Sequence, residues 1–549
     1  MLEFNPLLIH KDNTPLKTQV KVLEKFDIET FDFGNSDLDT YISKEFIPKI
    51  LKREFNILFI KDNLSDNYLE LYGIILAYHI RLSTELGDKR FVPIIIISDV
   101  DGYILNKLTP MANILFTKNT FVARNEIASY NYFEKVFEQI QPFVDFKKEF
   151  LDLIHIEPPQ DYLSYHDITN EWSIYRWAEF LGVNTDATKG NKAKIENMLY
   201  FKYLKARFPI PKKTGIQIVP KTPLSQGNIL YIDDEWDKGW KDIFKEYFSK
   251  RQNIKFHFIN HQYKDTTYDA IQALVKDSLA SNSIDTVMLD MRLTKEDHEQ
   301  TNVKELSGVK LLELIKSFNR GIQVILFTAS EKSVILDEAN KYNILGYIKK
   351  ESPSDEGAYT KTVFEKLKTL IDSGFERKYL KEIWNIQQEI LKLDLFATDK
   401  YNEIKIEIES IFVILETSMK NKLIYAMFAL FKSIEIIIGL YIEEKKDGRD
   451  RYAYWINTND KIPYFNKDNF LEKTNLGDSN DSTKNKIRVL LHEKLNIKDE
   501  NMHDNITSLV EIRNKTIHPK RKEDRAKQVT DDDILTWFKL LQTILSKLK

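Results

Sequence analysis

The sequence predicts a multidomain protein that combines α/β domains with an all-α domain at its C-terminal end. Up to about residue 370, short β-branched apolar runs of strand length alternate with helical patterns, which is typical of α/β domains. Beyond residue 376 the spacing of apolar residues is helical almost to the last residue. A chain of 549 residues has room for three or four such domains.

Composition limits the classes of function. Hydrophobic residues make up 42% and charged residues 30%, which predicts globular domains. The formal net charge of -3 gives no general argument for binding nucleic acid or membrane, so any basic surface must be local. The absence of cysteine excludes disulfides, thiolate catalysis and cysteine-ligated zinc. No signal peptide or membrane span is recognised, and we expect a cytoplasmic protein.

The distribution of these patterns divides the chain into four regions. Residues 1–150 predict an α/β domain with strands at 56–60, 92–98 and 112–117. Residues 151–226 predict a helical connector, in which Trp172, Tyr175, Arg176 and Trp177 form a packing face, followed by a linker with four prolines between 208 and 227. Residues 227–370 predict a second α/β domain with a doubly wound parallel sheet, and residues 376–549 predict a helical bundle.

Each predicted strand of the middle domain ends in a polar residue. Asp233 and Asp234 follow "NILYI", Asp290 follows "TVML", Thr328 ends "QVILFT", and Lys349 and Lys350 follow "GYI". The carboxyl ends of parallel strands meet at one edge of a sheet. Three carboxylates in a small site repel one another and favour a bound Mg²⁺, while a lysine and a hydroxyl can hold phosphoryl oxygens.

This set of residues resembles the receiver domain of two-component response regulators, and "SGVKLLELIKSF" (307–318) matches the glycine and helix of that family. The resemblance implies that Asp233, Asp234 and Asp290 bind Mg²⁺ and that Asp290 accepts a phosphoryl group from a histidine kinase or another phosphodonor. It makes Thr328 the switch hydroxyl and Lys350 the family lysine, with Lys349 second. A long polar loop at 294–306, and Glu351 where the family usually has proline, depart from the pattern.

A weaker similarity lies upstream. "NILFIKDN" (56–63) parallels "NILYIDDE" (228–235), and "ANILFTKN" (112–119) parallels "QVILFTAS" (323–330). The first domain thus resembles a degenerate receiver in which Lys61 stands where Asp233 stands and one βα unit is missing or rearranged. The resemblance implies a sensor or docking module for a protein partner, without phosphotransfer.

The stretch "SLVEIRNKTIHPK" (508–520) contains the second candidate site. Arg513 and His518 are five residues apart, which separates them by ~140° around a helix, so they flank a groove or the helix is distorted between them. Histidine can exchange the proton of a ribose 2′-hydroxyl, and arginine can stabilise charge on a phosphate. The structural alternative is an arginine paired with an acid and a histidine at a helix stop before Pro519.

Together with Asn514, the apolar lead "ITSLVEI" and the following helix at 531–548, this motif resembles the HEPN superfamily of all-helical domains. The resemblance implies a metal-independent endoribonuclease that needs no cofactor, acts as a homodimer and leaves a cyclic phosphate. It makes His518 the acid/base, Arg513 the phosphate contact and Asn514 a supporting polar group. The basic run 518–527 is either an RNA-backbone contact or a solvated helix end.

We therefore expect a phosphorylation-regulated signalling effector whose HEPN domain cleaves RNA. By family analogy it belongs to a bacterial toxin or anti-phage defence system. One alternative is a non-catalytic receiver–HEPN protein that serves as a dimerisation and partner-docking module. A second alternative is a constitutive ribonuclease whose receiver is an inert scaffold. No DNA-binding module is recognised.

Overall fold

The structure is a computed structural model, and it describes fifteen segments of the chain. They are residues 5–11, 26–67, 70–124, 130–159, 165–209, 226–249, 251, 253–263, 266–329, 333–355, 359–447, 450–465, 471–472, 482–517 and 529–548. The chain forms two compact units. The first comprises Met1–Lys221, Glu235–Lys250 and Lys349–Lys366, and the second comprises Thr222–Asp234, Arg251–Ile348 and Leu367–Lys549.

The first unit contains a five-stranded, wholly parallel sheet. Its strands are β1 (Pro6–His10), β2 (Asp27–Thr30), β3 (Ile57–Lys61), β4 (Ile94–Ser98) and β5 (Thr120–Arg124). They lie in the order β2-β1-β3-β4-β5, which is the 2-1-3-4-5 order of one doubly wound fold. The degenerate receiver predicted here therefore has all five strands of this order, while the connection from β1 to β2 at 12–25 lies outside the described residues.

Two details of the predicted strands in this domain were wrong. The run at 112–117 is not a strand, because residues Pro110–Phe116 form a 3₁₀ helix. The fourth strand of the sheet is β4, which lies inside the run at 92–98 that the sequence predicts as a strand. Strands β1 and β2 come before the run at 56–60, so that run is the third strand and not the first.

Helices surround this sheet and fill the rest of the first unit. They are α1 (Leu38–Tyr41), α2 (Ile47–Leu51), α3 (Tyr72–Leu82), α4 (Gly102–Leu108), α5 (Tyr130–Gln139), α6 (Tyr165–Leu181), α7 (Asp186–Asn197), α8 (Leu199–Arg207) and α9 (Trp240–Ser249). A π-helical turn at Ile42–Phe46 joins α1 to α2, and a second lies at Lys147–Leu151. The sheet is buried on both faces, as expected when helices cover a parallel sheet.

Helices α6 to α8, predicted as a connector, share one apolar core with the first sheet. Trp172 and Tyr175 of α6, Ile195 of α7 and Phe201 of α8 all lie in that core. A buried polar chain also fixes α8: His79 Nε2 is 2.9 Å from Asp39 Oδ1, and Lys202 Nζ donates to Ser83 Oγ at 3.0 Å. These helices are thus an integral part of the first unit.

The second unit contains another five-stranded parallel sheet, as predicted for the middle domain. Its strands are β6 (Gly227–Ile232), β7 (Ile254–Phe258), β8 (Thr286–Leu289), β9 (Gln323–Thr328) and β10 (Gly346–Lys349). The order β10-β9-β8-β6-β7 is again 2-1-3-4-5 when the strands are counted along the chain. Its helices are α10 (Tyr268–Ser281), α11 (Glu296–Glu299), α12 (Ser307–Phe318) and α13 (Ser333–Asn340). Helix α14 (Tyr359–Glu376) follows, and its residues up to Lys366 belong to the first unit.

The C-terminal region of this unit is mainly helical, as the sequence predicts. Its helices are α15 (Tyr379–Leu391), α16 (Asn402–Glu416), α17 (Lys422–Gly439), α18 (Thr483–Val489), α19 (Glu500–Ile517) and α20 (Asp531–Lys547). They enclose a core of buried leucine, isoleucine and aromatic side chains that includes Phe431 and Trp537. An antiparallel hairpin of β11 (Ile442–Asp447) and β12 (Asp450–Trp455), and a short pair of β13 (Tyr464–Phe465) and β14 (Leu471–Glu472), were not predicted.

The amino edge of the second sheet packs directly on this helical region. Lys381 of α15 forms an ion pair of 2.7 Å with Asp285, which precedes β8. Arg320, which precedes β9, forms an ion pair of 2.6 Å with Glu416 at the end of α16. A Cβ atom on Gly321 would overlap the backbone of Leu380, so this position requires glycine. The helical region is therefore fixed to the edge opposite the carboxyl ends of the strands.

Membrane insertion was not expected from the sequence. Within the described segments, no helix combines the length and the apolar character that a bilayer crossing requires. Helix α17, the most apolar candidate, contributes its buried face to the helical core.

Candidate functional site

The carboxyl edge of the second sheet brings three acidic residues together. Ile232 and Leu289 are direct partners in the β6–β8 ladder, so Asp233 and Asp290 follow them side by side. One carboxylate oxygen from each of Asp233, Asp234 and Asp290 lies within 4.8 Å of the others. Asp233 and Asp290 are buried, and Asp234 is half-buried. Three oxygen donors this close fit a hard divalent cation, which accepts carboxylates and retains several waters.

Two buried tyrosines experience the negative charge of this cluster. Tyr231 donates a hydrogen bond of 2.8 Å to Asp233 Oδ2. The pKa of Tyr231 is raised well above its ordinary value, first by burial and then by Asp233. The pKa of Tyr263 is raised by burial and then by Asp233 and Asp234. Burial and the neighbouring carboxylates thus both disfavour the phenolate form of these two tyrosines.

The other predicted residues of this site lie at the ends of their strands. Thr328 is the last residue of β9 and is buried, and Leu326 of that strand pairs with Leu289. Lys349 ends β10 and forms a 3.0 Å ion pair with Asp355. Lys350 follows it and is 2% exposed, with Nζ 5.7 Å from the centre of the Trp240 ring. Of the two lysines, Lys349 is therefore engaged with a neighbouring carboxylate.

The backbone beside Asp290 explains why residue 308, which the sequence pattern identified, is a glycine. A Cβ atom on Gly308, in the first turn of α12, would lie 2.5 Å from the carbonyl oxygen of Asp290. The backbone of α12 therefore approaches the strand end at a distance that only glycine permits. Gly308 N–H also donates to the carbonyl of Met291 at 3.2 Å.

The long polar loop at 294–306 is ordered around one buried carboxylate that sequence reasoning did not identify. Asp297 accepts hydrogen bonds from the backbone N–H groups of Leu293, Thr294 and Ser307 at 2.8 to 3.0 Å. It also accepts a short hydrogen bond from the hydroxyl of Ser307, the first residue of α12. The insertion is therefore anchored to the helix that begins beside Asp290.

The corresponding edge of the first sheet has a different chemistry. A Cβ atom on Gly73 would overlap the carbonyl of Lys61, just as one on Gly308 would overlap the carbonyl of Asp290. This shared contact places Lys61 where the second sheet has Asp290. The sequence comparison had aligned Lys61 with Asp233, which was wrong because β3 is the third strand of its sheet.

Lys61 forms ion pairs with the carboxylates around it. Its Nζ lies 2.9 Å from Asp62 Oδ1 and 3.3 Å from Asp99 Oδ2. Ser98 Oγ donates to Asp62 Oδ2 at 2.5 Å. The carboxyl edge of this sheet therefore carries the positive charge of Lys61, whereas the same edge of the second sheet carries an acidic cluster.

The second candidate site lies at the end of α19. The Arg513 guanidinium carbon is 4.6 Å from the centre of the Phe431 ring, and Arg513 donates to Asn514 Oδ1 at 2.9 Å. Arg513 Nε is buried, and it has no hydrogen-bond partner within the described part of the chain. His518 and the basic run 518–527 lie outside the described residues, so the pairing of Arg513 with His518 stays a prediction.

Comparisons with known proteins identify the first domain more clearly than the rest of the chain. The family model described as "Inactive Receiver domain" matches residues 17–123. That range spans β2 to β4 and most of β5, and it confirms the predicted degenerate receiver. The description of this family as inactive agrees with the ion-paired Lys61 at the carboxyl edge of the first sheet. A search of curated proteins gives no match.

Similar solved structures include two response regulators. NtrX from Brucella abortus, solved in complex with ATP, is 19% identical over 34% of this chain and 34% of its own, with a TM-score of 0.20. The chain thus matches about a third of the length of NtrX. A putative two-component response regulator with a GGDEF domain is 12% identical over 67% of this chain and 99% of its own, with a TM-score of 0.18. The family-model match to residues 17–123 is a receiver-like domain, and a domain of this kind suggests phosphorylation-regulated signalling.

Proposed function

We propose that this protein is a phosphorylation-regulated signalling effector that accepts a phosphoryl group on Asp290 and acts through its C-terminal helical domain. The observation that carries the first part is the cluster of Asp233, Asp234 and Asp290 within 4.8 Å at the carboxyl edge of the second sheet. Oxygen ligands at this spacing suit Mg²⁺, which neutralises the charge on a transferring phosphoryl group.

In this proposal a carboxylate oxygen of Asp290 attacks the phosphorus of a phosphohistidine or another phosphodonor. A P–O bond forms, the bond from phosphorus to the donor breaks, and the donor leaves with its electron pair. The Thr328 hydroxyl and the Lys350 ammonium then hold phosphoryl oxygens. Tyr231 supports the site by donating to Asp233, which keeps that carboxylate oriented.

The helical domain is proposed to be a metal-independent endoribonuclease in which Arg513, Asn514 and His518 act together. His518 would remove the proton of a ribose 2′-hydroxyl, whose oxygen attacks the adjacent phosphorus. The bond to the 5′-oxygen breaks, which leaves a cyclic phosphate and a 5′-hydroxyl. The position of Arg513 supports this role, because Phe431 and Asn514 hold its guanidinium in one orientation. Homodimerisation and a role in toxin or anti-phage defence remain part of the proposal by family analogy.

The test is an RNA cleavage assay on the full chain, with total RNA and transfer RNA as substrates. We expect cleavage in EDTA and a loss of about 10²–10⁴-fold in His518→Ala, the range for loss of a general acid/base. His492→Ala is the matched control, since His492 pairs with the neighbouring Glu493 and is expected to be dispensable. A change in rate with magnesium and beryllium fluoride that Asp290→Asn abolishes would link cleavage to the receiver.

A docking module is the second candidate, and one observation favours it. Helix α16 exposes Ile406 and Val413 seven residues apart, and Met419 and Tyr425 are exposed in the turn and helix that follow. Apolar side chains in this arrangement are typical of a protein contact surface. Folded protein that cleaves no RNA under any condition, but whose oligomeric state changes with beryllium fluoride, would support this function instead.

A further inference from the structure

A buried tyrosine beside the acidic cluster has a hydroxyl that makes no hydrogen bond. Tyr263 lies in the connection after β7, and it is 1% exposed. Its hydroxyl oxygen is buried and has no hydrogen-bond partner among the residues that the structure describes. Such a hydroxyl costs free energy, because folding removes it from water without compensation. Native proteins commonly satisfy an atom of this kind with a bound water or ion.

The sheet topology places this tyrosine at the same edge as the cluster. Strands β6 and β7 are parallel neighbours, and Tyr231 of β6 pairs with Phe258, the last residue of β7. Asp233 and Asp234 follow β6 directly, and Tyr263 comes five positions after the end of β7. Both connections therefore leave the sheet at its carboxyl edge, from adjacent strands.

Local contacts fix the position of Tyr263. The Thr266 N–H group donates to the Tyr263 carbonyl at 3.0 Å. The Thr266 hydroxyl donates to the Gln262 carbonyl at 2.7 Å and lies 2.7 Å from His261 Nε2. The His261 ring meets the Tyr263 ring edge-on, with 6.1 Å between their centres. These contacts hold the backbone and the ring of Tyr263, and none of them engages its hydroxyl.

The two tyrosines at this edge experience different parts of the cluster. Tyr231 donates to Asp233, and its pKa is raised by burial and then by all three aspartates. The pKa of Tyr263 is raised first by burial and then by Asp233 and Asp234, without a contribution from Asp290. The Tyr263 hydroxyl therefore faces the two acids that follow β6. As a neutral phenol it can both accept and donate a hydrogen bond.

The Tyr263 hydroxyl can obtain its hydrogen bonds from the hydration shell of a divalent cation. A Mg²⁺ ion bound to carboxylates keeps several waters at octahedral positions. The cation polarises the O–H bonds of these waters, which makes them strong donors. The phenol oxygen can accept from one of them. Side chains that bind the ligands of a metal in this way orient them and increase its affinity.

We propose that the Tyr263 hydroxyl binds a water of the hydrated cation at the acidic cluster, and that this contact favours Mg²⁺ over Ca²⁺. The inference rests on the proposed magnesium site and names a residue that sets its selectivity. Mg²⁺ holds its waters in a near-ideal octahedron, so an acceptor at one fixed place contributes fully. Ca²⁺ accepts more oxygen ligands in a flexible arrangement, so the same acceptor contributes less.

A purely structural role for the hydroxyl predicts the opposite effect on stability. If the hydroxyl stabilised the connection after β7, its removal would lower the stability of the metal-free protein. A buried hydroxyl without a partner instead lowers that stability, so its removal should leave the metal-free protein equally stable or more stable. Stability in EDTA and affinity for metal, measured on one variant, therefore distinguish the two roles.

The experiment is isothermal titration calorimetry of the full chain with MgCl₂ and, separately, with CaCl₂. Tyr263→Phe removes only the hydroxyl and keeps the buried ring. We expect its Kd for Mg²⁺ to rise about tenfold, as is typical when a group that supports metal ligands is lost, and its Kd for Ca²⁺ to rise less than about threefold. In EDTA its urea midpoint should equal or exceed that of the wild type.

Two controls accompany this variant. Tyr268→Phe is the matched change, because none of the three aspartates contributes to the raised pKa of Tyr268. It should keep the wild-type Kd for both ions. Asp234→Asn removes a proposed ligand and so defines the heat that comes from the cluster.

Two kinds of failure can be told apart. Tyr263→Phe that binds both ions as the wild type does, that loses the same factor for both, or that is less stable in EDTA would overturn the role of the hydroxyl and leave the proposed function intact. Wild-type protein whose titrations match those of Asp234→Asn would instead overturn the proposed magnesium site, and the inference with it.

Discussion

The two parallel sheets share one topology and differ in the charge at their carboxyl edges. In the second sheet three carboxylates converge, and their spacing suits the divalent cation that we propose for this site. In the first sheet Lys61 stands at the place of Asp290 and forms ion pairs with Asp62 and Asp99. The comparison teaches that one residue at the end of the third strand changes the charge of this edge, from a cluster of carboxylates to a set of ion pairs around a lysine.

The largest expected effect is on phosphorylation itself. With a small-molecule phosphodonor and magnesium, we expect Asp290→Asn to abolish phosphoryl incorporation, measured by intact-protein mass spectrometry. Asp62→Asn, the matched change in the first sheet, should incorporate as much as the wild type. Incorporation that survives in Asp290→Asn, or that disappears in Asp62→Asn, would contradict the assignment of the two edges.

Loss of the Lys61 ammonium group should destabilise the first unit. We expect Lys61→Met to lower the free energy of unfolding by about 3–5 kcal/mol, because it leaves the buried Asp62 carboxylate without its ion-pair partner. Urea denaturation measures the loss. Lys11→Met is the control, since Lys11 pairs with the exposed Asp66 and its loss should cost about 0–1 kcal/mol. Equal effects of the two changes would show that Lys61 is not a structural counter-ion.

The buried ion pair between Glu351 and Arg176 predicts a pH dependence of stability. Burial raises the pKa of Glu351 to about 7 from 4.5, while Arg176 and Thr360 act in the lowering direction and Asp355 in the raising one. A raised pKa in the folded state gives a contribution that is complete below pH 4.5 and is lost as pH rises towards 7. Between pH 5 and pH 7 we expect the wild type to lose about 2 kcal/mol relative to Glu351→Gln.

Urea denaturation of both proteins across this pH range checks the prediction. The glutamine side chain does not titrate, so the stability difference isolates Glu351 from every other group. A difference that stays constant with pH would mean that Arg176 holds Glu351 ionised throughout.

The smallest expected effect is a gain in stability at the acidic cluster. In EDTA, Asp234→Asn should raise the free energy of unfolding by about 1 kcal/mol, because it removes one of three mutually repelling carboxylates. Saturating magnesium should reverse the difference, since the variant lacks a ligand. The same experiment with Asp62→Asn should give a loss instead, because that change removes an ion pair with Lys61.

Sequence reasoning predicted the second sheet well because its signals are redundant. Four of its strands ended in a polar residue, and the glycine at 308 had its own steric reason. The first sheet was harder, because a short apolar run such as 112–117 is equally compatible with a strand and a buried helical turn. Strands β1 and β2 are five and four residues long, and missing them shifted every later strand by two places.

The residues of the candidate sites also differ in how well the sequence predicts them. Asp233, Asp234 and Asp290 were predicted from position alone, since a strand end determines where its next side chain lies. The Arg176–Glu351 pair joins residues 175 positions apart in the sequence, and no local pattern connects them. Phe431 beneath Arg513 was missed for the same reason, because a ring contact between two helices leaves no spacing in the sequence.

Gly321 has a consequence for recombination between related proteins. Its missing side chain lets the second sheet and helix α15 share one tightly packed seam, together with the Lys381 and Arg320 ion pairs. A crossover at the turn between α14 and α15 would join the helical domain of another protein to the amino edge of the second sheet, which is shaped to fit the native helical domain. The middle sheet and its helical domain therefore form one unit of recombination. Recombinant proteins that still fold should inherit both parts from the same parent.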